Sequence, residues 1–480
     1  MKPALFADAV ITASKTTDGH SLAQLFAIGG PIAASLLLEL GDPQPNRIIS
    51  SLRKCSGYLS SPWEDMCLNH LSSLYSFSLA SSLFTSSLST SLSTSGPYAV
   101  DAEGKSRAER LGEAFDSYNA AVTAFVRHFA TLTPGRWAIP LLRILCLNLR
   151  WLAVQADAAA LEASNGGRSG KDGNSSHPVA AAIVAPTVRT SSVANKRLEE
   201  CARQLNKAFT ACIADRNVDV QDSRKWGTYE IVGMVFKTYF RLRSVSLCRN
   251  ILRAISAAVL PDLELFPKSQ QVTFRYYVGV LAFLNEEYDK AEGQLSAALR
   301  MCNNKAVGNQ VMILTYLIPI KLVKGSLPYP ALLDTKRQPY IAGKLAPYTP
   351  FISALRQGDV KSFDFALNNP IIERWLVNKG TFIAMERARD VTLRTLLKHI
   401  WLSLPQGEPP SRPTRLSLET LHKATSSNLV GLGYELNQLE WILATLIYKG
   451  YVKAYIAHER AILVLSANNP FPPLSSVPTT

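Results

Sequence analysis

Residues 275–303 read RYYVGVLAFLNEEYDKAEGQLSAALRMCN, and this stretch decides the fold. Gly279, Tyr288, Ala291, Leu295 and Ala298 stand at the spacings of a helical hairpin of the tetratricopeptide type. Glycine and alanine let two antiparallel helices approach closely, and Tyr288 fills the space at their turn. A generic helical hairpin is the plainer alternative. In either case one hairpin cannot bury its apolar face alone, so the neighbouring helical segments predict a stack of helical pairs.

Helical signal extends on both sides. Toward the N-terminus it restarts at Ala194 and runs, pair after pair, to about Lys324. Before that, SNGGRSGKDGNSSHP (164–178) has the composition of a flexible linker, set at 164–193. Residues 1–163 read as an N-terminal helical region. Its clearest stripe is Phe115, Tyr118, Val122, Phe125 and Phe129, at three- and four-residue spacings. A tract at 72–96 interrupts this region. In residues 72–95, 12 of 24 positions are Ser and three more are Thr. A membrane span needs about 20 predominantly apolar residues. Half hydroxyls therefore argues for a low-complexity insert, either a disordered loop or a translated intron, and for a protein with no membrane partner.

Toward the C-terminus, helices return from Phe351 to Leu402, and a Pro-rich loop follows at 405–413. Ser417–Thr425 reads as a short helix. Asn437 and Glu440 resemble a capping box opening a second helix with core face Leu439, Ile442, Leu443, Leu446 and Ile447. Lys449-Gly450 closes it. Tyr451–Ile456 and Ala461–Leu465 are β-rich runs. Two helices and a hairpin make a winged helix over 414–466. The Pro/Ser-rich remainder, 467–480, is expected to be a flexible tail. The predicted fold is all-α, with a TPR-like solenoid over 194–402 and a C-terminal winged helix.

Hydrophobic residues make up 47% of the 480, enough for a large core. The 51 Lys+Arg against 37 Asp+Glu give a net charge of +14, which points to an acidic partner. Residues 1–100 carry five basic and six acidic side chains, so the excess lies in the rest of the chain. No acid intervenes between Glu230 and Asp262, while Lys237, Arg241, Arg243, Arg249 and Arg253 accumulate. Lys237 and Arg241 are four apart and share a helix face, where like charges repel slightly unless a polyanion sits on them. A solvated basic face is the plainer reading.

In the winged helix, Lys449, Lys453 and Arg460 flank the second helix and the hairpin, and His458 lies in the turn. Such residues suit phosphate contacts, which carry affinity without sequence information. The helix before Lys449 has no Arg or Lys, so it is poorly equipped to read a major groove.

Enzymatic signals fail. GGRSGKDG (166–173) lacks Walker spacing, with Asp172 where a hydroxyl is needed. The sequence has no G-x-S-x-G elbow and no H-E-x-x-H pair. Seven cysteines without a C-x-x-C pair suggest reduced thiols and no zinc site. No signal-peptide layout opens the chain. A non-enzymatic protein without cofactor or metal is expected. An enzyme with no identifiable site is the alternative of another class.

Several segments carry a closer resemblance. WEDMCLNHL (63–71), KWGTYEIVGMVFKTYFRL (225–242), EYDKAEGQLSAAL (287–299), ILTYLIPIKLVKGSLP (313–328) and LIYKGYVKAYIAHERAILVLSANNPFPPL (446–474) are similar to the PCI-domain family of signalosome subunit twelve. That family includes the PCI subunit of the nuclear-pore-associated, TREX-type mRNA export complex. The resemblance is strong over 195–474 and comes in pieces before it. It implies a scaffold that pairs with a larger PCI-type partner and a small acidic protein shared with the proteasome lid. It also implies binding of RNA and double-stranded DNA, with transcription linked to mRNA processing and export. The nucleus, with some cytoplasmic protein, is the implied location. Lys449, Lys453, His458, Arg460, Lys237 and Arg241 are the candidate nucleic-acid contacts. A subunit associated with the signalosome, without an export role, is the alternative. The Ser-rich tract departs from the family, which continues there as plain helix.

Overall fold

The computed structural model describes residues 1–40, 45–89, 100–101, 103–166, 195–217, 219–404, 413–426 and 433–477. Most of the expected linker, the GGRSGKDG loop beyond Gly166, residues 90–96 of the Ser-rich tract and most of the 405–413 loop lie outside them. The described chain is overwhelmingly helical, of the all-α solenoid class, with three short strands. Its contacts define two units, Met1–Gln270 and Gln271–Thr480.

The first unit is built on three long helices. We number them with the others in chain order: α1 Pro3–Lys15, α2 Gly19–Leu25, α3 Pro31–Leu40, α4 Pro45–Leu52, α5 Trp63–Ser89, α6 Arg107–Phe129 and α7 Ile139–Gly166. Next come α8 Lys196–Ile213, α9 Thr228–Arg241 and α10 Ser246–Ala257. A capping box opens α6, where Ser106 accepts from the Glu109 N–H and Glu109 accepts from the Ser106 N–H. Its core stripe is the predicted one: Phe115, Tyr118, Val122, Phe125 and Phe129 are all buried.

The Ser-rich tract departs from the sequence reading. Through Ser89 it is the second half of α5, packed against α6, and not a loop. Leu71, Leu74, Ala80 and Leu83 are buried at helical spacing beneath the hydroxyls. Ser72, Ser78, Ser81 and Ser82 donate back to carbonyls three or four residues earlier, which satisfies them within the helix. Ser73 is buried and donates across to the Ala114 carbonyl at 2.7 Å. Through Leu83 the tract supplies core residues in register, as a disordered loop would not.

One helical segment, Arg136–Ser164, is long and apolar enough by length and composition to cross a membrane. The sequence reading overlooked it. Leu141, Leu142, Leu145, Leu149 and Leu152 along it are fully buried within this unit, as in the core helix of a globular fold. Helix α8 packs on α6 and α7. Its first N–H groups donate to the Asp157 carboxylate on α7, at 3.2 Å from Arg197 and 2.9 Å from Leu198. The unit boundary therefore falls at 270/271, inside the span 194–402 that the sequence assigned to one solenoid.

The second unit opens on the predicted hairpin. α11 is Lys268–Leu284 and α12 is Tyr288–Met301. Gly279, Tyr288, Ala291, Leu295 and Ala298 are buried. A Cβ added at Gly279 would stand 2.7 Å from Leu295 Cγ and 3.3 Å from the Leu295 nitrogen, so hydrogen is the only side chain that fits unaltered. α13 is Val307–Val323, α14 Pro339–Leu345, α15 Thr349–Gln357, α16 Val360–Leu367, α17 Pro370–Lys379 and α18 Phe382–Ser403. Helix α18 packs on α13, α15 and α16 and leads to the winged helix.

The winged helix comprises β1 Arg415–Ser417, α19 Leu418–Ser426, α20 Leu436–Tyr448, β2 Ala454–Ala457 and β3 Ile462–Leu465. The antiparallel sheet has order β1-β3-β2. Two details correct the sequence reading. Strand β1 precedes α19, and the capping box of α20 uses Glu435 and Gln438 rather than Asn437 and Glu440.

The expected flexible tail is instead docked through Val477. The Pro470 carbonyl accepts from the Lys453 N–H at 2.8 Å, and the Pro472 carbonyl from Arg394 Nη2 at 2.7 Å. Phe471 packs 5.4 Å from the Trp401 ring, centroid to centroid. Proline has no N–H to satisfy, so the segment can be buried at low polar cost. A Cβ on Gly325, whose φ is +68°, would stand 2.0 Å from Leu474 Cδ1. The IKLVKG and NPFPPL segments, far apart in sequence, thus meet in this unit.

Candidate nucleic-acid interface

The second winged-helix helix ends where the domain's basic cluster begins. Gly450 adopts φ +78°, and the Gly450 and Tyr451 N–H groups donate to Ile447 and Leu446, closing α20 with a left-handed glycine. Lys449 sits at this stop, beside the negative end of the helix dipole. Its Nζ lies 2.6 Å from Asp390 Oδ2 on α18, and its side chain is 43% exposed. Lys449 therefore ties the winged helix to the solenoid as well as facing solvent.

Lys453 is exposed just before β2. Its backbone is fixed on both sides, by the Pro470 carbonyl and by the Ser466 N–H at 2.9 Å. His458, Glu459 and Arg460 form the turn between β2 and β3, and Ala461 completes it at φ +48°. Arg460 is exposed. His458 Nδ1 is 2.7 Å from Glu440 Oε1 on α20. That hydrogen bond, with the carboxylate's charge, raises the imidazole pKa and favours the cation. The structure thus gathers Lys449, Lys453, His458 and Arg460 in one small domain.

It does not bring Lys237 and Arg241 to them within a unit. Both lie one turn apart on α9 in the first unit, exposed. Burial of its stem and the nearby Arg150 lower the Lys237 pKa. Arg243 and Arg253 are exposed in the same unit, with Arg253 donating to Asn250 Oδ1 at 2.6 Å. This is a basic face of the kind the charge run implied.

Sequence reasoning missed three aromatic side chains. Trp441 is 77% exposed and Tyr448 91%, both on α20, and Tyr455 on β2 is also exposed. Once the buried stripe Leu439, Leu443 and Leu446 is set aside, Trp441 and Tyr448 remain seven residues apart on the opposite face.

The described cysteine thiols are all free, and Cys67, Cys146, Cys201, Cys212 and Cys248 are buried. Desolvation pushes the Cys201 and Cys212 thiols up to about 12, which makes them inert core residues rather than nucleophiles.

Helical repeats that end in a winged helix define a PCI-type protein. Compared with models of known families, the chain matches none. Individual relatives are close. A protein CSN12 homolog of Mycosarcoma maydis is 67% identical over 477 residues, 99% of both chains. A protein CSN12 homolog of Neurospora crassa is 36% identical across 75% of this chain and 77% of its own length. PCI domain-containing protein 2 of Danio rerio is 26% identical across 98% of this chain and 97% of its own length. The chain belongs to the PCI-domain family of the CSN12 homologs.

Proposed function

We propose that the chain is a non-enzymatic PCI scaffold subunit. It binds a larger PCI-type partner, a small acidic protein and nucleic acid, and it couples transcription to mRNA processing and export from the nucleus. The observation that carries this reading is the winged helix. Its cations Lys449, Lys453, His458 and Arg460 belong to one small domain whose second helix carries no Arg or Lys: Lys449 and Lys453 follow the C-terminal end of that helix, and His458 and Arg460 stand in the turn that contacts Glu440. That arrangement suits backbone phosphates and not a sequence code. The net charge of +14 provides long-range attraction for an acidic protein as well.

Replacing Lys449, Lys453 and Arg460 by Ala tests the nucleic-acid part. Binding to RNA or duplex should weaken, and the slope of log K against log salt should flatten by about one per lost phosphate contact. An unchanged slope would leave the cluster as solvated surface. A second reading, signalosome association without an export role, rests on the name CSN12 homolog carried by the relatives. Partner identification separates the two.

A further inference from the structure

Helix α20 presents an unpartnered face of unusual composition. Trp441 and Tyr448 are mostly exposed, with exposed Ala444 between them and exposed Asn437 one turn before Trp441. Large exposed aromatics at i and i+7 on one face are uncommon on a surface without a partner. The cation cluster begins at the next residue, Lys449, and continues through Lys453. Lys453 and Arg460 have no ion-pair partner among the described residues. Acids are present too. Asp390 is held by Lys449 and Glu440 by His458, while Glu459 in the turn and Glu435 at the start of α20 are exposed.

We propose that this face is a base-stacking platform for single-stranded RNA, with Trp441 and Tyr448 as the stacking side chains. The inference rests on the nucleic-acid reading above and narrows its ligand. Seven residues of helix set the backbone positions that carry the two rings about 10.5 Å apart along the axis. That is roughly three times the 3.4 Å step of stacked bases in a duplex strand. The rings therefore receive bases that are not stacked on one another, which an opened single strand offers and a duplex does not. A duplex would also need the helix in its groove, where Trp441 protrudes and α20 has no Arg or Lys. An aromatic surface beside free cations complements a strand whose bases are flat and apolar and whose backbone is anionic. The Asn437 amide supplies both a donor and an acceptor on the same face, the pair that a ribose 2′-OH can use.

The test uses the full-length chain and fluorescein-labelled 12-mers: an unstructured RNA, its DNA counterpart and a duplex. Trp441→Ala should weaken RNA binding about 5- to 100-fold, and adding Tyr448→Ala should weaken it further. The salt slope should stay that of the parent, because no phosphate contact is lost. Duplex binding should be unchanged, the single-stranded DNA should bind more weakly than RNA, and Trp441→Phe should restore most of the RNA affinity. Lys449, Lys453 and Arg460 replaced together by Ala should reduce RNA and duplex binding alike and flatten both slopes. If the aromatic variants bind RNA like the parent while the charge variant fails, the platform is wrong and the broader reading stands. If the charge variant also binds like the parent, both fail. Loss of a protein partner with RNA affinity intact would make this face a protein interface and overturn the proposal.

Discussion

Replacing Gly279 by Ala probes the packing that underlies the helical stack. The added methyl would lie 2.7 Å from Leu295 Cγ, 2.9 Å from Leu295 Cδ2 and 3.3 Å from the Leu295 nitrogen. Leu295 is fully buried, so its side chain has nowhere to swing. The nitrogen belongs to the backbone of α12, and relief there means moving the helix. Overpacking of this kind costs roughly 1–3 kcal/mol. Against it stands the gain of about 1 kcal/mol for alanine over glycine inside a helix. The net expectation is a loss of about 0–2 kcal/mol, and Gly279→Leu should lie well beyond it. Urea unfolding of the full chain, followed by circular dichroism, measures the change. The sharper assay is a double-mutant cycle. Leu295→Ala alone should cost about 2–5 kcal/mol through its cavity. In that background Gly279→Ala should become neutral or stabilising, because the void accepts the methyl and the propensity gain remains. A full 1 kcal/mol gain from Gly279→Ala in the parent, with no coupling to Leu295, would refute the close approach.

Three further outcomes follow from named contacts. Burial raises the Asp215 pKa, but hydrogen bonds from the Arg224 side chain and backbone and from Ser223 outweigh it and hold the carboxyl at about 2. A depressed carboxylate stabilises the fold above its unfolded value of 3.8, and that stability is lost as pH falls toward 2. Asp215→Asn should therefore cost at least roughly 2 kcal/mol at neutral pH and remove this segment of the acid-unfolding curve, measured by denaturant melts from pH 7 to pH 2. Phe471→Ala or Gly325→Ala should undock the C-terminal segment, read as rapid proteolytic trimming after Asn469 in either variant but not in the parent. Asp390→Ala should free Lys449 and tighten RNA binding a few-fold at low salt; no change would mean that Lys449 contributes only the tie to α18.

The hairpin and the winged helix were legible because local periodicity carried them. Gly279, Tyr288, Ala291, Leu295 and Ala298 announce a close helical pair, and Lys449-Gly450 announces the end of α20. What escaped depended on partners distant in sequence. The serines of α5 concealed an apolar stripe, since composition counts hydroxyls without asking which face they occupy. The buried placement of Ser73 depends on Ala114, which lies on α6. The docked tail needs Trp401, Arg394 and Gly325, and nothing in NPFPPL itself says that a receptor exists. Strand β1 has one buried residue, Leu416, and no pattern longer than three. The cation cluster was found through charge and resemblance, but the neighbouring Trp441 and Tyr448 were passed over. Their significance is exposure, which only the fold reveals.

The most direct test is the composition of the native assembly. The chain, tagged at its own locus and purified at moderate salt, should elute as a stoichiometric complex with a larger PCI-type protein and a small acidic protein. That complex should carry RNA that nuclease removes. Recovery as a lone chain, or in equal amounts with the signalosome subunits and without RNA, would contradict the account.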